Sequence, residues 1–167
     1  ENWPLLIKKY DIKTNKSPEE LAHETQEAYL QEINEITIRP GFTEFLENLK
    51  DRGIQVAIAT SNNREVAEKI LGKVGLQGVF ETVTTVEEVA FSKPDPSLFT
   101  VTADKLGVAK EECLVIEDAS SGIEAAQLAG MKVIAICDKV EDEKILASAD
   151  LIVDGFIDIT PKVIEGL

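Results

Sequence analysis

The sequence is poor in several residue types, and each scarcity narrows what the protein can be. Its 167 residues include one histidine, His23, and two cysteines, Cys113 and Cys137. His23 lies in an acidic helical stretch, so we predict a surface side chain rather than a catalytic one. Each cysteine lies in an apolar run, which is typical of inert, buried thiols in a reducing cytosol and not of a disulfide framework. We therefore predict a cytoplasmic protein.

Basic residues and long apolar runs are also scarce. The chain has 17 Lys and Arg against 31 Asp and Glu, a net charge of −14. Nucleic acid and anionic membrane surfaces would repel such a chain, so we expect neither as a partner. No apolar run approaches the roughly 20 residues that span a bilayer. A small phosphorylated metabolite is not excluded, because one local cation can outweigh a distant acidic surface.

The first part of the chain is predicted to be helical. Ser17-Pro18-Glu19-Glu20 has the form of a helix start, with Ser17 as N-cap, proline at the first helical position and Glu20 two positions later. Arg39-Pro40-Gly41 interrupts the helical pattern. We therefore divide the chain into a helical segment, 1–39, and a second domain, 40–167.

From residue 41 helices and short apolar strands alternate. Strands separated by helices of about ten residues favour a doubly wound parallel α/β sheet, with helices on both faces. Aromatic residues make up 5% of the sequence, so Val, Ile, Leu and Ala must fill most of the core. We predict helices over 42–53, 63–74, 96–107, 121–130, 141–149 and 158–167, and strands over 54–60, 80–86, 112–118, 131–137 and 150–153.

Polar residues follow the predicted strands at the edge where such sheets bind ligands. Each group also has an ordinary structural interpretation, as helix caps, a solvated loop lysine or helix-capping acids. Taken together, a hydroxyl, a cation and a carboxylate pair suit phosphate and Mg²⁺, and Pro94 and Pro96 stiffen the loop that carries the cation. The three groups are Thr60-Ser61-Asn62, Lys93, and Glu117-Asp118.

The motifs around these residues resemble those of a known family. Residues 40–137 resemble the haloacid dehalogenase superfamily, in the branch that contains β-phosphoglucomutase and small sugar-phosphate phosphatases. Residues 1–39 resemble, more loosely, the later part of that family's helical cap. The resemblance is carried by RPGFTEFLENLKDRG, VAIATSNN, FSKPDPSLFTVTADKLGV and ECLVIEDASSGIEAAQLAGMKVIAI.

The resemblance implies a Mg²⁺-dependent phosphatase or phosphomutase that acts on a small phosphorylated metabolite such as a sugar phosphate. It implies that Thr60 hydrogen-bonds the transferring phosphoryl group and that Lys93 neutralises charge on the phosphoryl oxygens. Ser61 and Asn62 would assist in binding phosphate. Glu117 and Asp118 would hold Mg²⁺, and a glutamate before the aspartate leans toward the β-phosphoglucomutase-like branch. The choice between mutase and phosphatase stays open.

One part of the family pattern has no counterpart in this sequence. The family's nucleophile is an aspartate that forms an aspartyl-phosphate, and it lies in an Asp-x-Asp motif that ends the first strand. This chain has no such motif after a strand. In the family that strand lies between the strand ending at Thr60 and the strand ending at Glu117. We therefore expect the motif, and half of the cap, to precede residue 1.

The missing central strand would leave a gap with unpaired backbone groups. Each unpaired buried group costs on the order of 1–3 kcal/mol. We therefore expect that the chain does not fold alone as a stable monomer. Either an N-terminal segment completes it as a monomer, or another chain fills the gap.

Two other interpretations compete with a phosphate-transferring enzyme. The first is a catalytically incompetent fragment or relative that keeps the fold, which the missing motif favours. The second is a phospho-receiver signalling domain, which also combines a doubly wound sheet, Mg²⁺, a hydroxyl and a lysine. Receivers place their acidic pair near the N-terminus and their lysine on the last strand. Here Lys93 precedes Glu117 and Asp118, which argues against a receiver.

Overall fold

The computed structural model describes residues 3–137 and 146–167. Short 3₁₀ helices cover Glu32–Glu35, Val86–Glu88, Lys110–Glu112 and Phe156–Asp158. The strands are β1 (Ala57–Ala59), β2 (Thr82–Thr84), β3 (Leu114–Glu117), β4 (Lys132–Ile136) and β5 (Leu151–Val153). The α-helices are α1 (Trp3–Tyr10), α2 (Pro18–Gln31), α3 (Phe42–Asp51), α4 (Arg64–Lys73), α5 (Ser97–Leu106), α6 (Ser120–Ala129) and α7 (Pro161–Glu165). Most of the predicted helix 141–149 lies outside the described residues.

The strands form two parallel groups. β1 pairs with β2, while β3, β4 and β5 form a sheet in that order with β4 in the middle. Within the described residues no ladder joins β1 to β3. The sheet is therefore interrupted between the strand that leads to Thr60 and the strand that ends at Glu117, which is where the sequence predicted a gap.

Helices cover both faces of the β3–β4–β5 sheet. Alternate residues of β4 pack on opposite sides, as a strand's two-residue period requires. Val133 and Ala135 join a core with residues of α5 and α6. Ile134 and Ile136 join a second core with residues of α3 and α7. All four side chains are buried. The predicted doubly wound α/β fold is confirmed.

The start of α2 forms as the sequence predicted. Ser17 Oγ accepts a hydrogen bond from the backbone N–H of Glu20 at 3.1 Å, and Glu20 Oε2 accepts one from the N–H of Ser17 at 2.7 Å. Pro18 occupies the first turn. Donors that the first helical turn would otherwise leave unsatisfied therefore have partners within the segment.

The strands are shorter than predicted because side chains compete for the backbone at their ends. The predicted strand 54–60 is reduced to β1, and before it the N–H of Val56 donates to the Glu81 carboxylate at 2.9 Å. The predicted strand 80–86 ends at Thr84, because the next N–H, that of Thr85, donates to the side chain of Glu88 in a 3₁₀ capping box. The bond to Glu81 comes from a distant part of the chain and the bond to Glu88 is local, and each gives a backbone N–H a partner outside the ladder.

Two other predicted elements were also too long. The predicted strand 112–118 begins two residues later, because Glu112 closes the 3₁₀ helix Lys110–Glu112. The predicted helix 158–167 is reduced to α7, because Asp158 belongs to another 3₁₀ helix and Pro161 sets the first turn. The boundaries of α3, α4, α5 and α6 lie within two residues of the prediction.

The scarce residues lie where the sequence placed them. Cys113 and Cys137 are not joined by a disulfide, and Cys137 is buried. Cys113 is partly buried, and this burial, with smaller contributions from Glu112 and Glu111, raises the pKa of its thiol. A raised pKa disfavours the reactive thiolate, which agrees with an inert residue. His23 is exposed beside Glu27. Among the described residues, no helix has the length and apolar character to cross a membrane.

Candidate active site

Lys93 lies in a largely enclosed position at the interruption of the sheet. Its side chain is 11% exposed and forms an ion pair with Glu117, at the end of β3. Its Nζ donates to the carbonyl oxygen of Ala59, the last residue of β1, at 3.1 Å and lies 4.5 Å from the centre of the Phe99 ring. The interpretation of Lys93 as a solvated loop lysine is therefore wrong.

Glu117 is held from several directions. Its side chain is 12% exposed, one oxygen contacts Lys93, and the other accepts the backbone N–H of Asp118 at 3.3 Å. A Cβ atom placed on Gly122 would overlap the Glu117 carboxyl group. The glycine in the first turn of α6 thus leaves room for this carboxylate, and no positive φ is involved.

Thr60, Ser61 and Asn62 follow β1 but do not cap the next helix, α4. Asn63 is the N-cap of α4, and its side-chain oxygen accepts the N–H of Val66 at 3.0 Å. Capping by Thr60, Ser61 and Asn62, the alternative interpretation, is therefore wrong.

Thr60 and its neighbours instead form a turn at the mouth of the interruption. The N–H of Thr60 donates to the backbone carbonyl of Thr84 at 2.9 Å. Thr60 Oγ1 accepts the N–H of Asn62 at 3.1 Å. Since Lys93 binds the carbonyl of Ala59, the lysine lies against the backbone immediately before Thr60. The structure thus brings the first and second predicted groups together.

Asp118 follows β3 and is more exposed than Glu117. Its Oδ2 lies 3.3 Å from Nη2 of Arg39, in an ion pair whose side chains are 42% exposed for Arg39 and 61% for Asp118. The two residues are 79 positions apart in the chain. In the sequence, Arg39 marked only the boundary between 1–39 and 40–167, and this contact was not predicted.

Glu117 and Asp118 fit part of a Mg²⁺ site. Magnesium prefers oxygen ligands and binds through one or two carboxylates together with substrate phosphates and water. The space that Gly122 leaves for Glu117 is consistent with a carboxylate that must occupy one defined place. In the described part of the chain no cluster of three or more acidic, His or Cys side chains forms a complete metal cage. These two residues would therefore hold the ion with help from other groups.

The loop after Lys93 is fixed by its own polar contacts. Lys93-Pro94 is a cis peptide bond. The hydroxyl of Ser97 donates to Asp95, and so does the Ser97 N–H at 2.9 Å. The bond from the hydroxyl has the larger effect and the bond from the N–H adds to it, and together they hold the pKa of Asp95 below its ordinary value. These bonds tie the loop to the first residue of α5, two positions after Asp95.

A doubly wound parallel sheet with a lysine and carboxylates at the carboxyl ends of its strands defines an α/β protein with a site for an anion and a cation. Comparison with known proteins identifies the family. The sequence profile of the haloacid dehalogenase-like hydrolases matches residues 5–136. This match covers most of the chain, and the protein belongs to the haloacid dehalogenase-like hydrolase family.

Individual relatives agree with this assignment. The chain is 30% identical over 151 residues to a phosphorylated carbohydrates phosphatase of Thermotoga maritima, covering 89% of this chain and 69% of that protein. It is 31% identical over 155 residues to the β-phosphoglucomutase of Bacillus subtilis, covering 91% and 66%. The crystal structure of a β-phosphoglucomutase from Clostridium difficile superimposes with a TM-score of 0.82 at 26% identity, covering 96% of this chain and 72% of that one.

The chain spans only part of its relatives. It covers about two thirds of the length of the two enzymes above, and 56% of the length of another Bacillus subtilis relative. The family assignment confirms the resemblance and argues against the phospho-receiver alternative. The individual roles of Thr60, Ser61, Asn62, Lys93, Glu117 and Asp118, and the division into 1–39 and 40–167, stay predictions.

Proposed function

We propose that this chain supplies most of the active site of a Mg²⁺-dependent phosphatase or phosphomutase that acts on a small phosphorylated metabolite, such as a sugar phosphate. The observation that carries the proposal is the enclosed contact of Lys93 with Glu117 across the interruption of the sheet, beside Thr60. The names of the two relatives, a phosphatase of phosphorylated carbohydrates and a β-phosphoglucomutase, support the substrate class.

The enclosed lysine is well suited to a phosphoryl group. Lys93 is held by a carbonyl, a carboxylate and an aromatic face, so its position is set before a substrate arrives. A charge that is already positioned stabilises a transferring phosphoryl group without reorganisation during the reaction. In this proposal Lys93 pairs with phosphoryl oxygens, and the hydroxyl of Thr60 donates to them. Ser61 and Asn62 help to bind the same phosphoryl oxygens.

Glu117 and Asp118 are the proposed ligands of Mg²⁺. The ion would add positive charge at the phosphoryl oxygens from the side of β3. Both carboxylates are assigned to the metal in this proposal, so neither is taken as the nucleophile. The sequence contains no Asp-x-Asp motif, so the proposed aspartate nucleophile comes from outside these 167 residues.

The interruption between β1 and β3 is the proposed place of the strand that carries that nucleophile. Each of the two groups of strands is parallel within itself, and one further parallel strand between β1 and β3 would join them into one sheet. A monomer completed by an N-terminal segment, or a second chain that supplies the strand, would satisfy this requirement. The two cysteines form no disulfide, which supports a reducing compartment, and the cytoplasm is the proposed location.

Phosphate release by the complete gene product tests the proposal. The enzyme is incubated with p-nitrophenyl phosphate and a panel of sugar phosphates, with Mg²⁺ and then with EDTA. Conversion between glucose 1-phosphate and glucose 6-phosphate is followed separately, since it distinguishes a mutase. We expect turnover that EDTA abolishes and Mg²⁺ restores. Lys93→Met should lower kcat by about 10²-fold or more, as loss of a charge that stabilises the transition state does.

A matched variant separates the role of Lys93 from a general effect of lost charge. Lys69→Met removes the lysine of an exposed ion pair with Glu65 on α4. We expect Lys69→Met to keep the activity of the parent protein. Equal activities of the two variants, or turnover that is indifferent to EDTA, would contradict the proposal.

A catalytically incompetent relative is the second candidate, and the missing Asp-x-Asp motif favours it. Such a protein would keep the fold and release no phosphate from any substrate in the panel. A folded complete gene product that binds Mg²⁺ but shows no turnover with any of these compounds would establish this alternative.

A further inference from the structure

The ion pair between Arg39 and Asp118 joins two parts of the chain that sequence reasoning treated separately. Arg39 Nη2 lies 3.3 Å from Asp118 Oδ2, across 79 positions of sequence. We propose that Arg39 is a positioning residue for Asp118. It occupies one carboxylate oxygen and turns the other toward the metal site. This inference rests on the proposed function, because it takes Asp118 as a metal ligand.

The backbone of Arg39 is tied to the start of α3, so its side chain extends from a defined place. The carbonyl of Arg39 accepts the N–H of Phe42 at 3.2 Å, which ties it to the start of α3. Gly41 adopts a φ of +80°, and a Cβ atom on it would lie 2.6 Å from Cγ1 of Ile157. Only glycine fits this turn without strain. The close packing of Gly41 on Ile157 thus anchors the segment from which Arg39 extends.

Asp118 needs such a partner more than Glu117 does. Glu117 is enclosed, with Lys93 on one oxygen and the N–H of Asp118 near the other. Asp118 is 61% exposed, so packing alone does not select one orientation of its carboxylate. Carboxylates that bind metals are themselves commonly held by hydrogen bonds, and loss of such a partner weakens metal binding about 10- to 100-fold.

The positive guanidinium of Arg39 also repels a divalent cation. This repulsion weakens metal binding, whereas orientation of Asp118 strengthens it. Water and salt screen repulsion between charges as exposed as these. Solvent exposure weakens the Arg39–Asp118 attraction as well, but that pair is in direct hydrogen-bond contact, whereas the guanidinium reaches the cation only across the carboxylate. We therefore expect the net effect of Arg39 to favour metal binding, and this sign makes the inference testable.

Mn²⁺ binding to the complete gene product provides the test, without reference to turnover. Titration calorimetry, or the free Mn²⁺ signal in electron paramagnetic resonance, gives Kd for each variant. We expect Arg39→Gln to raise Kd about tenfold. Arg39→Lys should fall between this variant and the parent protein, because it keeps the charge but not the planar guanidinium.

The control is a second exposed arginine in a similar pair. Arg52 Nη1 lies 3.5 Å from Glu165, with side chains 48% and 69% exposed. Arg52→Gln removes the same charge away from the proposed site, so its Kd should equal that of the parent protein. Circular dichroism at each titration temperature establishes that the variants are folded.

Asp118→Asn separates failure of this inference from failure of the proposed function. If Asp118→Asn loses Mn²⁺ binding while Arg39→Gln binds within twofold of the parent or more tightly, the role of Arg39 is overturned and the metal site stands. If Asp118→Asn binds Mn²⁺ as the parent does, the metal site itself is wrong. A loss in Arg52→Gln equal to that in Arg39→Gln would assign the effect to net charge and also overturn the inference.

Discussion

The carboxyl group of Glu117 occupies the space that a side chain on Gly122 would fill. Gly122 is buried in the first turn of α6, and its backbone is helical rather than left-handed. Glycine is a poor helix former, so conformation alone would favour alanine there by about 1 kcal/mol. Room for the carboxylate is thus the structural reason for glycine at this position.

Gly122→Ala should weaken both the stability of the protein and its metal binding. The added methyl group displaces the Glu117 carboxylate, while the better helix former offsets part of the cost of that movement. We expect an unfolding free energy lower than the parent's by on the order of 1–3 kcal/mol, because the displaced carboxylate loosens its pair with Lys93, and Mn²⁺ affinity at least about tenfold weaker. Urea unfolding and Mn²⁺ titration of the complete gene product measure the two quantities.

Gly72→Ala is the matched control for that variant. Gly72 is also helical, and its Cβ atom would meet only the flexible end of Gln77, at 3.0 Å. We expect a gain of about 0.5–1 kcal/mol in stability and unchanged Mn²⁺ affinity. Equal Mn²⁺ affinities in the two alanine variants would contradict the role assigned to Gly122.

The enclosed pair of Lys93 and Glu117 should respond to substitution as a unit. Removing one partner leaves a largely buried charge unpaired, so Lys93→Met and Glu117→Gln should each lower the unfolding free energy by on the order of 3 kcal/mol. The double variant should lose much less than the sum, because neither charge is then left alone. Urea unfolding of the four proteins gives the coupling energy.

An exposed pair provides the reference for this cycle. Lys69 and Glu65 are one turn apart on α4, with Nζ and Oε1 at 2.7 Å and side chains at least half exposed. Their coupling energy should be about 0.3–0.5 kcal/mol. A Lys93–Glu117 coupling no larger than this value would mean that water reaches the pair freely, contrary to the structure.

Local sequence signals predicted much of the fold because they act over a few residues. The capping box at Ser17, glycines at the ends of α5 and α6, and apolar runs for β3 and β4 each depend on neighbours in the chain. Strand ends were less predictable. Thr85 lies within the predicted strand 80–86, yet its N–H bonds to Glu88 and ends the strand.

The candidate site was predictable to the extent that parallel strands end at one edge. That rule alone places Lys93 and Glu117 near each other, and the structure pairs them. Contacts between distant side chains were not predictable in this way. The Arg39–Asp118 pair depends on how the chain turns at Gly41, and one sequence carries no local signal of that distance.

Asp150 stabilises the protein at neutral pH, and this contribution should be lost in acid. Its carboxylate accepts a hydrogen bond from Lys132 Nζ at 2.8 Å and one from the Val133 N–H at 2.9 Å. These contacts, the lysine first, hold the pKa of Asp150 below its ordinary value, which is about 3.9. A lowered folded-state pKa stabilises the fold above the unfolded-state value, and this contribution disappears as pH falls through the folded-state pKa.

Asp150→Asn tests this pH dependence. The parent protein should be more stable than the variant at pH 7, and the difference should shrink steadily as pH falls below about 4. Urea unfolding at a series of pH values measures it. Lys132→Met should show a smaller effect of the same sign, because the Val133 N–H remains. A difference between parent and Asp150→Asn that stays constant with pH would show that the pKa is not lowered.

Two buried threonines should respond in opposite directions to the same substitution. Thr84, in β2, is fully buried, and its hydroxyl has no hydrogen-bond partner among the described residues. Thr102, in α5, is 7% exposed, and its hydroxyl donates to the carbonyl of Leu98 at 2.6 Å. A buried hydroxyl without a partner costs about 1–3 kcal/mol, whereas one with a partner contributes about 1 kcal/mol.

Thr84→Val should therefore raise the unfolding free energy by about 1 kcal/mol, helped by the preference of valine for strands. Thr102→Val should lower it by about the same amount, because a hydrogen bond is lost and a β-branched apolar residue gains nothing in a helix. Both substitutions replace a hydroxyl with a methyl group, so they alter side-chain volume equally. Urea unfolding of the complete gene product and its two variants measures the difference. Destabilisation by Thr84→Val would show that its hydroxyl has a hydrogen-bond partner in the complete protein.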